Sequence, residues 1–298
     1  GPEGLRPQHL KDATSISAGD SASDLLISLT SLVNEISSKG VHPSVRASFF
    51  GARLIALTKP NGDLRPIAVG CTIRRLTAKV LLQRSIRNLS DRLAPTQVGV
   101  GTKMGCEGAV HAVRDFIYEN NTEDKVILKI DLTNAFNSIR RDSVLRAAKD
   151  HLPNLFPFAW ASYSSDSTLY FGDYDIKSQS GVQQGDPLGP ALFANTIHDA
   201  INNSIDNDIN VWYLDDGCIG GSPTQVLELV KNIRSKLALL GLEVNPTKGE
   251  LLKLSDSSNE EIQGYLEEFP GLKIQTPNNW ELLGAPLNDV SLHSSFEK

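Results

Sequence analysis

The 298-residue chain is poor in sulfur and in long apolar runs. Met104 is its one methionine, and Cys71, Cys106 and Cys218 are its three cysteines. The cysteines are odd in number, widely spaced and without a C-x-x-C pair. That pattern argues against a disulfide framework or a zinc site and fits a reducing compartment. No stretch reaches the roughly 18 consecutive apolar residues of a membrane-spanning helix, so none is expected. The first residues, GPEGLRPQHL, lack an initiator methionine, a basic leader and an apolar segment. They do not read as a signal peptide, and the chain reads as a piece of a longer polypeptide.

A net charge of -6 argues at first against a polyanionic partner, but the distribution qualifies that. Residues 1–130 carry 17 Lys+Arg against 12 Asp+Glu, and residues 131–298 carry 12 against 23. Between Leu64 and Ser90 stand Arg65, Arg74, Arg75, Lys79, Arg84 and Arg87 with no acid among them. A local basic field attracts nucleic acid even on an acidic chain. The alternative is a solvated helix face.

Periodicity gives a mixed set of elements. Residues 22–39 place Leu25, Leu29, Leu32, Val33 and Ile36 at helical spacing, with Gly40 as the stop. ARLIALTKPNGDLRPIAV (52–69) reads as strand, Pro-Asn-Gly-Asp turn, strand. A basic helix is expected over 72–90. KVILKIDL (125–132) is a strand running into Asp131, followed by a helix of about ten residues with Asp142 as N-cap and Pro153 as stop. Residues 168–180 suggest two strands, 187–205 a helix, and VWYLDDGCIGG (211–221) strand, Asp-Asp turn, strand. The next helix has Ser222 as cap, Pro223 in its first turn and Gln225 completing a capping box. Val226, Leu229, Val230, Ile233, Leu237 and Leu240 form its stripe, and Gly241 ends it. Residues 242–254 read as strand, loop, strand, and the acidic stretch 256–279 as an insertion or linker.

Asp215 and Asp216 are the chemically pointed feature. Two adjacent carboxylates beside apolar strands repel each other, and their burial costs several kcal/mol unless something neutralises them. Mg²⁺ prefers such oxygens. If the strand ending at Asp131 shares their sheet, three carboxylates meet at one edge. That set suits two metal ions about 3.5–4 Å apart in a phosphoryl transfer. The bland alternative is a hairpin turn. SGVQQGDPLGPALF (180–193) brings glycines and Gln184 before a helix start, where backbone can approach a ligand and anions are favoured. Lys59 and Arg65 flank a hairpin tip as cations able to hold a triphosphate, and Lys248 sits in another short loop.

Taken in order, TKPNGDLRPIAV, KIDLTNAFNSI, SGVQQGDPLGPALF, YLDD, GLEVNPTKGELL and WELLGAPL resemble the reverse transcriptase domain of non-LTR, LINE-type retrotransposons. They are also similar to group II intron enzymes. The resemblance implies an α+β right-hand polymerase fold: an antiparallel palm sheet backed by helices, with fingers from the N-terminal part. Residues 1–124 would be fingers, with part of the palm from about 91, and residues 125–298 palm with the acidic insertion near 256–279. The end of the chain soon after LLGAPL would leave no room for a thumb.

The resemblance further implies an RNA-directed DNA polymerase that adds dNTPs to a primer 3′-hydroxyl on an RNA template. Asp131, Asp215, Asp216 and the backbone carbonyl of Leu132 would hold two Mg²⁺ ions, with Mn²⁺ as an admissible substitute. Phe136 would lie under the incoming sugar. Lys59, Arg65, Gln184, Gly185 and Lys248 would contact the nucleotide. No membrane partner is implied, and the setting would be the cytoplasm and nucleus. Two rivals are an RNA-dependent RNA polymerase, against which Phe136 argues, and an inactive or domesticated remnant that only binds nucleic acid or protein.

Overall fold

The computed structural model describes residues 4–59, 62–120, 123–202, 208–254, 259–275 and 280–287. In chain order the elements are α1 (Pro7–Ala13), α2 (Asp20–Lys39), α3 (Pro43–Phe49), β1 (Ala52–Thr58), β2 (Leu64–Gly70), α4 (Thr72–Leu93) and α5 (Gly105–Glu119). Then follow β3 (Val126–Ile130), α6 (Ala135–Ser138), α7 (Arg141–His151), α8 (Phe156–Tyr163), β4 (Ser167–Phe171), β5 (Tyr174–Ser178) and α9 (Gly189–Ile201). The last are β6 (Ile209–Tyr213), β7 (Asp216–Gly221), α10 (Pro223–Leu239), β8 (Glu250–Lys253), α11 (Asn259–Glu268), β9 (Lys273–Gln275), β10 (Glu281–Leu282) and β11 (Ala285–Pro286). No described helix is long and apolar enough to cross a membrane.

Two compact units interleave along the chain: residues 1–88 with 139–196, and residues 89–138 with 197–298. The chain leaves the first unit at Leu89, returns to it at Ile139 and leaves it again at Ile197.

The first unit is built on a four-stranded sheet of order β2-β1-β4-β5. β1 and β2 form the expected hairpin, with Thr58 paired to Leu64; its Pro60 and Asn61 lie outside the described residues. Gly40 ends α2 with φ +75°, as its position suggests. Val33 and Ile36 are buried, whereas Leu32 of the expected stripe is 43% exposed.

The second unit carries a five-stranded sheet of order β6-β7-β3-β8-β9, antiparallel except for the β8–β9 pair. Central β3 is apolar because both its faces are covered: Val126, Ile127, Leu128 and Ile130 are buried. Helix α10 turns Val226, Leu229, Val230, Ile233 and Leu237 inward, as its stripe predicts.

Four local expectations need correction. Asp142 lies in the first turn of α7, and Arg140 takes the cap position. The Ser222 hydroxyl bonds the Gln225 side chain at 2.7 Å and makes no bond to the helix backbone, so the capping box does not form. Val244 makes an isolated bridge to Leu132 in place of a full strand. The acidic stretch is no linker: α11 buries Ile262 and Tyr265, the Tyr265 hydroxyl donates to the Pro223 carbonyl at 2.6 Å, and β9 extends the sheet. Its composition is polar, but its apolar residues fall on one face.

Candidate active site: an Asp-Asp turn at the end of a buried strand

In the second unit the pairing register does what the sequence required. Ile130 of β3 faces Gly217 of β7 in an antiparallel pair, so Asp131 stands opposite Asp216 one step further on. Tyr213 pairs with Asp216, which leaves Leu214 and Asp215 as a two-residue hairpin loop. Gly217 is required here, since a Cβ on it would lie 2.7 Å from the Trp212 ring. That packing explains why a small residue follows the aspartates.

The loop has positive φ at its first residue only, Leu214 at +58°. That is the II′ pattern, usually given to glycine. A leucine there costs about 1–2 kcal/mol. Gln97 holds it: its amide accepts from the Leu214 N–H at 2.8 Å, and donates to the Leu214 carbonyl at 3.0 Å. The same oxygen accepts from the Gly99 N–H at 3.1 Å. Residues on either side of Gln97 are bonded to Trp212 of β6, which fixes Gln97 beside the turn. Nothing in the sequence around Gln97 marks this role.

Charge crowding follows from the geometry. Burial first, then the carboxylates of Asp215 and Asp131, push the Asp216 carboxyl up to about 6 from the ordinary 3.8. Lys248 partly offsets this. Its ammonium lies 3.1 and 3.2 Å from the two Asp131 oxygens, although its side chain is 56% exposed. Lys129, on β3, also faces this charge and is 3.5 Å from Glu250. Leu132 is buried, and its neighbours Asp131 and Thr133 bond to residues 245 and 243. The N–H and C=O of Leu132 therefore point away from residues 243–245. Asn134, with φ +46°, turns the chain into α6, which carries Phe136 half-buried.

The oxygen donors suit a hard divalent cation, and the raised Asp216 carboxyl marks a place where positive charge is wanted. Among the described residues no three carboxylate, His or Cys side chains already converge as a ligand set. The strand register sets Asp131 opposite Asp216, but the expected convergence of three carboxylates into a ligand set is not seen among the described residues.

The remaining expected residues lie in the first unit. Lys59 and Arg65 flank the β1/β2 turn, closed by the Lys59 N–H to Asp63 carbonyl bond of 2.7 Å; Arg65 is exposed and Lys59 half-buried. The outer edge of β2 is taken by Gln184, whose carbonyl accepts from the Ala68 N–H at 2.6 Å. Gly185 follows at φ +105°, and a Cβ there would sit 2.6 Å from the Ala68 carbonyl oxygen. Only glycine allows that approach.

Beneath this segment lies a buried network that sequence reading missed. Arg74 donates to Asp186 at 2.7 Å, to the Phe50 carbonyl at 2.7 Å and to Gln183 at 3.0 Å. Tyr163 donates to the same Asp186 oxygen at 2.6 Å, while the Leu188 N–H bonds its other oxygen at 3.0 Å. Arg74 was grouped with a polyanion-attracting stretch, but it is 2% exposed and serves as an internal partner for Asp186. Of that stretch, Arg65, Lys79, Arg84 and Arg87 are exposed.

Comparison with known proteins is consistent with this geometry. Residues 57–287 match the family described as reverse transcriptase (RNA-dependent DNA polymerase). A Saccharomyces cerevisiae protein named for intron 1 of COX1/OXI3 is 21% identical over 166 residues, covering 54% of this chain and 19% of that protein. The structure of apo telomerase from Candida tropicalis aligns with TM-score 0.55 at 13% identity, covering 77% of this chain and 49% of that one. Telomerase from Candida albicans with a TWJ fragment of telomeric RNA gives 0.57 at 12% identity, covering 73% and 44%. This chain thus spans about a fifth of the yeast relative and less than half of either telomerase chain. At such identities the structural likeness is one of fold.

Proposed function

We propose that this chain, which belongs to the reverse transcriptase (RNA-dependent DNA polymerase) family, extends a DNA primer on an RNA template as part of a non-LTR, LINE-type element. The observation that carries the reading is the register opposing Asp131 to Asp216 beside Asp215, with Asp216 held near pKa 6 by burial and crowding. Asp131, Asp215, Asp216 and the Leu132 carbonyl would hold two Mg²⁺ ions, for which Mn²⁺ could substitute. When bound, the ions supply charge neutralisation at the attacking and leaving oxygens.

The chain's own groups bind and orient. Lys59 and Arg65 hold the triphosphate, Gln184 and Gly185 position template and nucleotide, and Lys248 balances charge at Asp131. Phe136 excludes a ribose 2′-hydroxyl, which sets dNTPs apart from NTPs. The primer 3′-hydroxyl then attacks the α-phosphate and pyrophosphate leaves. Catalysis of this kind is positioning plus charge stabilisation. The setting would be the cytoplasm and nucleus.

A second reading, a remnant that binds nucleic acid without catalysis, is favoured by one contact: the Lys248 ammonium sits on the Asp131 carboxylate, where a metal would be needed. Primer extension on an RNA template with Mg²⁺ and dNTPs separates the two. Metal-dependent extension supports the polymerase, and tight binding with no extension supports the remnant.

A further inference from the structure

Helices α7 and α8 of the first unit enclose a groove of about 410 Å³ whose lining includes none of the residues proposed to hold metal or nucleotide. This falls within the roughly 300–1,000 Å³ of ordinary ligand clefts. Its walls combine aromatic surface with positive charge. Trp160 is 49% exposed, and its ring lies 5.9 Å from that of Phe156. Arg146 and Lys149, three residues apart on α7, are exposed at the opposite wall. Neither has an ion-pair partner among the described residues. Arg141 closes one side, its guanidinium committed to Ser178 and Gly181 carbonyls and set 5.4 Å from the Tyr163 ring centre. The single acid in the lining, Asp142, is already engaged by Arg140 at 3.0 and 2.7 Å. The groove thus presents an open indole and two exposed cations; its one negative charge, Asp142, is held chiefly by Arg140 and also feels Arg146.

We propose that this groove binds single-stranded RNA, one unpaired base stacking on Trp160 and adjacent phosphates lying on Arg146 and Lys149. Stacking needs an unpaired base, which a duplex does not offer, and it tolerates any base because each has a π face. The repeated negative charge of the phosphates meets the two cations. The choice of RNA rests on the polymerase reading; the stacking and charge do not.

The protein contains its own probe. Of its three tryptophans, Trp212 and Trp280 are buried, so quenching of indole fluorescence by an added oligonucleotide reports Trp160. The experiment titrates a short unstructured RNA into the full chain without divalent metal or dNTP. Labelled-RNA anisotropy runs in parallel for variants that lack the indole. Quenching is expected with single-stranded RNA and not with a duplex of the same sequence. Trp160→Leu should weaken binding roughly fivefold or more, and Trp160→Tyr should restore most of it. Arg146→Ala/Lys149→Ala should flatten the log–log salt slope by about 1.4, the single-strand value for two phosphates. The changed residues are all exposed, so circular dichroism and melting temperature should match the parent's.

Equal affinity in the parent, Trp160→Leu and the double variant would overturn the proposal. So would equal quenching by duplex, or tighter binding of single-stranded DNA than of RNA. Asp131→Asn separates this inference from the catalytic one: it should abolish extension and leave the quenching unchanged. Loss of quenching in that variant would count against the groove.

Discussion

The Gln97 side-chain amide bonds both the N–H and the carbonyl of Leu214, closing a clamp on the one residue that turns the chain into the Asp-Asp pair. The clamp holds a leucine at φ +58° and thereby decides where Asp215 and Asp216 point. Gln97→Ala should destabilise the protein by about 1–3 kcal/mol, because part-buried backbone groups lose their partner. In that background Leu214→Gly should recover about 1 kcal/mol, since glycine takes positive φ without penalty. Chemical denaturation of the two variants checks both values. If Gln97→Ala is as stable as the parent, the clamp carries nothing.

Asp216 gives a pH dependence with a definite sign. Its folded pKa of about 6 lies above the ordinary 3.8, so the folded state holds this proton more tightly than the unfolded chain does. Its contribution is favourable below the ordinary value, falls away as pH rises between roughly 4 and 6, and is flat above. The loss amounts to roughly 2–3 kcal/mol at most. Asp216→Asn should remove that slope and leave the variant more stable than the parent at neutral pH. Denaturant midpoints across this range test it; a slope unchanged by Asp216→Asn would assign it to another group.

The Arg74–Asp186 pair is a test of what fixes the Gln184–Gly185 segment. Both side chains are buried, so truncating either leaves a charge without its partner. Arg74→Ala or Asp186→Ala should each cost about 3–5 kcal/mol. The double Arg74→Leu/Asp186→Leu variant should cost clearly less than the sum of the single changes. A double-mutant cycle showing simple additivity would mean the two are not coupled.

Much of this was readable because it is local. The β1/β2 hairpin, the strand entering Asp131 and the α10 stripe each announce themselves within a few residues through alternation, turn residues or helical spacing. Asp131 and Asp216 were legible as chemistry, and their opposition then followed from strand register. The Gln97 clamp was not legible, since it bonds across 117 positions and an isolated glutamine carries no pattern. Arg74 was misplaced because a basic run does not say which of its members turns inward. The stretch over 259–275 was undervalued on composition, although Ile262, Tyr265, Phe269 and Leu272 recur at near-helical intervals and are buried.

Sugar discrimination is the finer test of the family reading. Phe136→Val should raise the efficiency of NTP use relative to dNTP by roughly tenfold or more, by opening room for a 2′-hydroxyl. An unchanged ratio would make Phe136 an ordinary packing residue of α6.

The central claim is that the carboxylates at the end of β3 and in the Leu214–Asp216 turn perform nucleotidyl transfer. Single-turnover primer extension on an RNA template, comparing the parent with Asp215→Asn, reads it most directly. Asparagine keeps the side-chain volume and removes the charge. The account predicts metal-dependent extension by the parent and none above background by Asp215→Asn, with melting curves showing both proteins folded. Extension by Asp215→Asn at the parent's rate would contradict it.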